Sequence, residues 1–250
     1  MRIAVCIKRV PDTEMRFTIA ADGKSIDSAG LKYETSTFDE YAVEVALRLN
    51  ERHGPGEVTV VGAGPDGLAE LLRKALSMGA DRAIHLTAPE VPFDGSAVAQ
   101  ALAAELQGKG FDLVLFGRNA TDTGNGAVGP MTAELLGLPC VTAVSQLEIA
   151  ESRGTAQRTL EGATETVTFP LPAVLTIDEG IARPRIPSLK GIMAAKKKPM
   201  ESRPAQWGPV RLTVQSMELP TERAGGRILG TGPDAVSELV RVLRDEAKVL

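Results

Sequence analysis

Six short segments of the chain consist almost entirely of apolar residues and are rich in β-branched side chains. They cover residues 2–8, 58–61, 83–86, 113–116, 141–144 and 173–177. Strands that are covered by helices on both faces have this continuous apolar character, whereas strands with one solvated face alternate. The six segments therefore predict buried strands of a parallel sheet.

Amphipathic helical patterns separate these segments. Apolar side chains recur on one face of residues 37–54, and Gly54 ends the pattern. A capping box between Thr37 and Glu40 is expected to begin this helix. Comparable patterns occupy residues 66–80, 94–110 and 129–137. This alternation of strands and helices predicts an α/β fold with a mainly parallel, doubly wound, Rossmann-like sheet.

The pattern changes after about residue 145. Residues 146–172 alternate polar and apolar positions, which predicts an insertion of two or three antiparallel strands. We expect an α/β domain over residues 1–198 and a C-terminal extension over residues 199–250. The extension is expected to hold a strand at residues 210–214 and an amphipathic helix in residues 231–250, with its apolar face against either its own domain or a partner.

Composition and charge exclude several classes of function. The formal net charge is -4 and aromatic residues make up 4% of the chain, which argues against nucleic acid as a partner. Cys6 and Cys140 are far apart and predict buried thiols in a reducing compartment, and His53 and His85 are not spaced as metal ligands. No apolar run reaches the roughly 18 residues that span a bilayer. A bacterial cytoplasmic location without stable membrane insertion is therefore expected.

The segment after the fourth predicted strand has the strongest features of a binding site. The strand ends at Gly117, a loop of small residues follows with Gly124 and Gly126, and a helix begins near residues 128–131. Ligands of parallel sheets bind beyond the carboxyl ends of the strands, where glycine amides and a helix N-terminus suit a phosphate. A second glycine-bearing turn at residues 61–67 has the same position between strand and helix. The loop after Gly117 itself has neither a Walker lysine nor a G-x-G-x-x-G turn, so it predicts a nucleotide that is held but not cleaved.

Five blocks in order along the chain resemble the β (small) subunit of electron-transfer flavoproteins. They are residues 8–12, 75–86, 113–130, 159–177 and 183–198. The resemblance implies an electron carrier without substrate turnover of its own, paired with a larger α subunit that holds most of a shared FAD. Such pairs collect electrons from dehydrogenases, such as those acting on acyl-CoA, and pass them to a quinone-linked oxidoreductase.

The resemblance also implies a second nucleotide on this chain, usually a structural AMP. In a flavin-bifurcating branch of the family, a second FAD takes that position. The residues at the family's nucleotide positions are Cys6, Ser36, Thr37, Phe38, Asp39, Ala63, Gly117, Arg118, Asn119, Ala120, Thr121, Asp122, Thr123, Gly124, Asn125, Gly126, Ala127 and Val128. Among them, Asp122 is expected to accept hydrogen bonds from the sugar or base, and the amides of residues 126–128 are expected to hold the phosphate.

The choice between AMP and FAD stays open at this point. AMP-type members commonly carry polar side chains where this chain has Gly126, Ala127 and Val128. Backbone contacts survive that difference, whereas side-chain contacts do not. Residues 128–130 also resemble members that take a second flavin. The overall pattern favours AMP over FAD.

Leu189 falls at the family's anchoring leucine, which inserts into a pocket on a partner dehydrogenase. Burial of one leucine contributes about 2 kcal/mol, which suits a transient contact. The alternative is that Leu189 packs into its own domain. Residues 196–198 form a lysine run that either steers acidic partners or is simply solvated. Arg183 and Arg185 are expected near the flavin or the other subunit, and residues 10–15 near the partner's flavin.

Two other classes of function are weaker. A nucleotide hydrolase or transferase would need a base or a carboxylate cluster near residues 117–130, where Asp122 stands alone. A stand-alone nucleotide sensor would need neither the C-terminal extension nor the proline-rich loop at residues 184–193. An electron-carrier subunit accounts for both segments.

Overall fold

The computed structural model describes residues 1–221 and 225–250 of the chain. The chain forms two compact units, Met1–Ser216 and Met217–Leu250. The strands are β1 (Arg2–Cys6), β2 (Arg9–Pro11), β3 (Tyr33–Thr35), β4 (Glu57–Gly64), β5 (Arg82–Thr87), β6 (Leu113–Gly117), β7 (Cys140–Val144), β8 (Gln146–Ala150), β9 (Arg153–Leu160), β10 (Ala163–Pro170), β11 (Ala173–Ile177) and β12 (Met200–Pro204). The α-helices are α1 (Thr37–His53), α2 (Leu68–Met78), α3 (Gly95–Leu106), α4 (Val128–Leu136), α5 (Leu189–Ala195) and α6 (Val236–Arg241).

A seven-stranded parallel sheet forms the centre of the first unit. Its order is β12-β5-β4-β1-β6-β11-β7, and every neighbouring pair is parallel. The chain adds β4 and β5 on one side of β1 and then crosses to place β6 on the other side. All six predicted apolar segments lie in this sheet, and the predicted doubly wound α/β fold is confirmed.

Two hydrophobic cores cover the two faces of the sheet. Alternate residues of the central strands, such as Ile3 and Val5, pack with α1 and α2, where Leu47, Leu72 and Leu76 are buried. The intervening strand residues pack with α3 and α4 in the second core. Because helices cover both faces, nearly every residue of β1, β6 and β11 is apolar and buried.

The first long helix begins differently from the sequence expectation. Thr37 is already helical and Ser36 is the N-cap residue, without a side-chain capping bond, so the predicted capping box between Thr37 and Glu40 is wrong. The Ser36 hydroxyl is instead shared with the loop after β6, where it donates to Asn119 O at 3.4 Å. At the other end, Gly54 is the C-cap residue with φ of 82°, as predicted.

The antiparallel insertion is confirmed as a three-stranded sheet of order β10-β9-β8. Gly154 lies opposite Phe169 in its register, and a Cβ at Gly154 would lie 2.2 Å from the phenyl ring. The lack of a side chain at this position therefore allows Phe169 to be buried. The small β2–β3 hairpin was not predicted, since each strand has three residues and β2 ends in Pro11.

The first unit extends beyond the predicted boundary at residue 198. β12 pairs with β5 at the edge of the sheet, and the unit ends at Ser216. Residues 210–214 do not form the predicted strand, because the amides of Arg211 and Leu212 donate to Asp94 Oδ2 at 2.7 and 3.1 Å. Their hydrogen bonds thus go to a side chain and not to a neighbouring strand.

The second unit contains the predicted terminal helix in a shorter form. A single 3₁₀ turn at Pro233–Ala235 leads into α6, which continues as a π-helical turn over Val242–Glu246. Pro233 lies in the first turn, as expected. The apolar side chains of Val236 and Leu239 are 53% and 45% exposed.

Lys198 anchors the segment after α5 to the end of α2. Its Nζ donates to Leu76 O, Gly79 O and Ala80 O at 3.1, 3.2 and 2.6 Å. These carbonyls lie at the C-terminus of α2, where a cation is favoured by the helix dipole. Arg73 of α2 donates in the opposite direction, to Ala195 O at 2.6 Å. Within the lysine run of residues 196–198, Lys198 is therefore a structural anchor.

We predict that Lys198→Met lowers the free energy of unfolding by about 2 kcal/mol, because charged hydrogen bonds to three carbonyls are lost. Lys197→Met is the matched control, since Lys197 is exposed and its ammonium has no hydrogen bond to the described residues. Urea denaturation of the isolated chain measures both. Equal midpoints for the two variants would contradict the anchoring role.

Candidate functional site

The carboxyl ends of β4, β1 and β6 lie side by side and bring three predicted site residues together. Cys6 ends β1 and is paired with Val61, Ala63 lies two residues further along β4, and Gly117 ends β6. The strand order changes direction between β1 and β6, which is the position where open α/β sheets bind ligands. The glycine-bearing segment predicted as a turn at residues 61–67 belongs in part to β4, which continues to Gly64.

A buried carboxylate links the two strands at this switch point. Asp39, in the first turn of α1, accepts a hydrogen bond from Lys8 N at 2.7 Å through Oδ2. Its Oδ1 accepts from Gly117 N at 2.9 Å. Lys8 lies two residues after β1 and Gly117 ends β6, so one side chain accepts from a backbone donor near the carboxyl end of each strand. The N-terminus of α1 is thereby held across the switch point.

Burial dominates the electrostatics of this carboxylate. Asp39 is 7% exposed, and its burial raises its pKa to about 7, although the hydrogen bonds from Lys8 and Gly117 oppose the rise. Burial, together with the nearby Asp39 carboxyl, also raises the pKa of the Cys6 thiol far above its ordinary value. Cys6 therefore remains a packed, protonated thiol, as predicted, whereas Cys140 is exposed and the prediction of a buried thiol there is wrong.

Gly117 is required by the close approach of α1 to β6. A Cβ at Gly117 would lie 2.5 Å from Asp39 Oδ1 and 2.7 Å from both Asp39 N and Phe38 C. Two of these atoms belong to the backbone and cannot move aside. The glycine at the end of β6 thus allows the Asp39 bridge and opens the following loop.

The loop over residues 118–127 contains polar groups that lack partners. Thr121 N donates to the Ser36 hydroxyl at 3.4 Å, which ties the loop to the start of α1. Asn119 Oδ1 and Thr121 Oγ1 are buried without a hydrogen-bond partner. Among residues 1–221 and 225–250, three buried side-chain atoms are in this condition, and two of them lie in this loop. Because such groups are costly to leave unpaired, the loop fits a polar ligand.

The second half of the loop provides backbone donors. Gly124 and Gly126 have φ of 66° and 59°, a left-handed conformation that favours glycine. α4 begins at Val128, and no side chain of the described residues caps its N-terminus. The free amides and the positive end of the helix dipole suit one phosphate, so the residues fit a nucleotide.

Two charged residues of the loop are already engaged. Asp122, predicted as an acceptor for the nucleotide's sugar or base, forms an ion pair with Lys8 Nζ at 2.7 Å and accepts from Thr123 N at 2.8 Å. The guanidinium of Arg118 lies 5.0 Å from the Phe38 ring centre and donates to Asp178 at 3.1 Å. Lys8 and Asp178 were not among the predicted site residues. Their positions, two residues after β1 and directly after β11, could have indicated them from the sequence.

The predicted site residues differ in exposure. Ser36, Asp39 and Gly117 are buried, whereas Thr37, Arg118, Gly124 and Asn125 are exposed. The same stretch also contains the remaining predicted residues, namely Ala120, Thr123, Ala127 and Val128. All of the predicted nucleotide residues lie at the start of α1, from its N-cap Ser36 to Asp39, or between Gly117 at the end of β6 and Val128 at the start of α4, apart from Cys6 and Ala63 at the neighbouring strand ends.

Leu189 lies on a separate element, at the start of α5. It is 82% exposed, so it does not pack into its own unit. Ile186 and Met193, close in sequence, are 90% and 71% exposed. We call Ile186, Leu189 and Met193 the α5 surface. Three exposed apolar side chains on one short segment are typical of a protein contact.

The described part of the chain holds no cluster of three or more His, Cys, Asp and Glu side chains that could bind a metal ion. Within the same residues, no helix combines the length and the apolar character needed to cross a membrane.

The chain matches the family model described as the electron transfer flavoprotein domain over residues 24–206. It is 37% identical to the electron transfer flavoprotein subunit beta of Bacillus subtilis, with all of both chains covered. It is 36% identical to subunit beta of Syntrophomonas wolfei, over all of this chain and 98% of that protein. It is also 36% identical to human subunit beta, over 98% of each chain.

The pKa of Asp39 gives a testable pH dependence. The folded chain takes up a proton at Asp39 near pH 7, whereas the unfolded chain does so at the ordinary value of 3.8. The stabilisation by this proton is complete below the ordinary value and is lost as the pH rises through about 7.

We therefore predict that wild type gains stability over Asp39→Asn by about 2–3 kcal/mol when the pH falls from about 8 to about 5. Urea denaturation of both proteins across this range measures the difference. A difference that does not change with pH would mean that Asp39 stays ionised in the folded chain.

Proposed function

The chain belongs to the electron transfer flavoprotein family, among its β subunits, and we propose that it is the nucleotide-bearing subunit of an electron-carrying heterodimer. The larger α subunit would hold most of the FAD, which supplies the redox chemistry. The observation that carries the proposal is the loop after β6, where buried polar atoms without partners meet an uncapped helix at the switch point. This chain would bind the nucleotide, contribute to the shape of the heterodimer and dock to partner proteins, without substrate turnover of its own.

AMP is the nucleotide that we propose for this loop. The N-terminus of α4 offers donors for one phosphate, whereas the first turn of α1 contains Asp39 and Glu40. Carboxylates at that second helix start disfavour another phosphate there. A monophosphate therefore suits the charges better than the diphosphate of a second FAD. The Asn119 and Thr121 oxygen atoms would bind the polar groups of the nucleotide.

The C-terminal unit, Met217–Leu250, is proposed to pack on the α subunit. Its described residues expose several apolar side chains, including Ile228 at 87%, Val249 at 68% and Leu250 at 69%. A unit of this size has little core of its own, so cover by a partner would stabilise it. Residues 10–15 are proposed to approach the partner's flavin.

The α5 surface is proposed as the docking surface for dehydrogenases of the acyl-CoA type. Exposed apolar side chains give a compact contact that can form and dissociate quickly. The electrons would then pass to a quinone-linked oxidoreductase. The cytoplasmic location expected from the sequence stays a prediction.

Mass analysis of the ligand released by acid from the purified heterodimer tests the proposed nucleotide directly. We expect AMP together with FAD. FAD alone, at two per heterodimer, would instead support the bifurcating type. FAD alone at one per heterodimer would contradict nucleotide binding by this chain.

We predict opposite effects of Thr121→Val on stability and on binding. The nucleotide-free chain should be equally stable or slightly more stable, because an unpaired buried hydroxyl costs about 1–3 kcal/mol. AMP binding should weaken about fivefold, since one hydrogen bond is lost. Denaturation and calorimetric titration with AMP measure the two effects.

Thr166→Val is the matched control for Thr121→Val, because Thr166 is exposed on β10 and is not among the predicted nucleotide positions. It should leave AMP affinity nearly unchanged. A Thr121→Val chain that is less stable and binds AMP normally would show that the hydroxyl serves the fold and not the ligand.

We further predict that Leu189→Ala weakens coupling to the dehydrogenase while the AMP content stays the same. Removing a leucine side chain from a protein contact costs about 2 kcal/mol, or roughly a thirtyfold loss in affinity. Flavin reduction by the dehydrogenase, followed over a range of heterodimer concentrations, measures the apparent KM. An unchanged KM would place dehydrogenase docking elsewhere on the heterodimer.

A further inference from the structure

The α5 surface stands on a segment with little packing of its own. α5 has seven residues, and Ala195 is its buried residue. Ile186 precedes the helix in an extended loop and is the most exposed of the three apolar side chains. A loop of this kind would move freely unless its ends were held. The end after α5 is fixed to α2 through Arg73 and Lys198.

The end before α5 is held by Arg185, which directly precedes Ile186. Its guanidinium donates to both oxygens of Glu44, from Nε at 2.8 Å and from Nη2 at 3.1 Å. It also donates to both oxygens of Glu51, from Nη1 at 2.5 Å and from Nη2 at 3.2 Å. The backbone amide of Arg185 adds a bond to Glu44 at 3.2 Å. The planar fork of arginine matches two carboxylates in a way that lysine cannot.

The buried carboxylate of Glu44 is paired with two arginines, Arg185 and Arg48. It is 2% exposed in the middle of α1, and Arg48 Nε donates to its Oε1 at 2.7 Å. Burial opposes ionisation, but the hydrogen bonds from Arg185 and Arg48 hold the pKa of Glu44 below its ordinary value. Arg48 also donates to Arg183 O at 3.3 Å, so the loop backbone is tied down as well.

We propose that Arg185 is a positioning residue for docking: by fixing the loop to Glu44 and Glu51 of α1, it presents the α5 surface in one preformed arrangement. The assignment rests on the proposed docking function of that surface. Four of the five guanidinium N–H groups of Arg185 donate to two carboxylates of its own chain, so its role in docking would be exerted through the loop. Preorganisation strengthens binding because the contact no longer has to order the loop.

The experiment compares heterodimers that carry Arg185→Gln, Arg185→Lys or Leu189→Ala with wild type. The organism's acyl-CoA dehydrogenase reduces the flavin, and a dye accepts the electrons. We expect Arg185→Gln to raise the apparent KM about fivefold to tenfold with kcat unchanged, since ordering a loop adds to the cost of binding. Arg185→Lys should raise the apparent KM less than Arg185→Gln does, because lysine keeps the positive charge but lacks the planar fork of arginine.

Arg183→Gln is the matched control, since it removes the same charge two residues away. Among the described residues, the Arg183 side chain forms no ion pair, and it should keep a KM within about twofold of wild type. Hydrogen–deuterium exchange provides a readout that needs no dehydrogenase. Exchange in residues 186–193 should increase in Arg185→Gln and stay unchanged in Arg183→Gln and in Leu189→Ala.

The outcomes separate this inference from the docking proposal. A Leu189→Ala variant with normal KM would overturn the docking surface and the role of Arg185 with it. A loss in Leu189→Ala together with a normal Arg185→Gln would overturn the positioning role alone. An equal loss in Arg183→Gln would assign the effect to net charge and would also overturn it.

A further variant, Glu51→Gln, covers the case in which Arg185→Gln does not assemble with the α subunit. Glu51→Gln keeps the buried contact with Glu44 and removes one arm of the fork at a residue whose side chain is 59% exposed. It should raise the KM about twofold to threefold and increase exchange in residues 186–193. Normal values in both measurements would contradict the proposal.

Discussion

The Asp39 carboxylate, which accepts one backbone hydrogen bond from just beyond β1 and one from the last residue of β6, determines the geometry of the rest of the site. It holds the end of β1 and the end of β6 to the first turn of α1, at the point where the sheet changes direction. A buried carboxylate is costly, and two N–H donors offset that cost only if β6 ends in a residue without a side chain. Gly117 is that residue. The loop that we propose for the nucleotide starts from this fixed point.

The strands were predictable because covering a sheet on both faces leaves continuous apolar runs, a signal that the chain carries locally. The bridge by Asp39 was not, because its partners lie 31 and 78 residues away and both are backbone amides. Residues 210–214 show the opposite error: their alternation suits a strand, but Asp94 takes up their amides. β12, with the sequence MESRP, has no apolar pattern and joins the sheet at its edge.

Basic residues show most clearly where sequence patterns stop being informative. Lys198 and Arg185 suggested partners, the flavin or solvent when considered as charges on a loop, and Arg118 suggested a nucleotide contact. Each instead binds an acceptor of its own chain, namely the carbonyl groups at the end of α2, the carboxylates of α1 and the Asp178 carboxylate. The composition of a loop does not specify which cations are occupied, because that depends on acceptors brought near by the tertiary fold. The nucleotide positions stay a prediction, but the glycines after the buried strand do report a local backbone requirement, since Gly124 and Gly126 have positive φ.

Helix α1 connects the two functions that we propose. Its first turn holds Asp39 and the Ser36 hydroxyl against the nucleotide loop, and Glu44 and Glu51 lie further along the same 17-residue helix. A helix is stiff over this length, so whatever fixes its first turn also fixes the carboxylates that hold Arg185. A nucleotide in the loop would therefore contribute to docking without taking part in electron transfer, because it satisfies the polar atoms against which α1 is placed. A structural AMP and a distant docking loop can thus depend on each other through one rigid element.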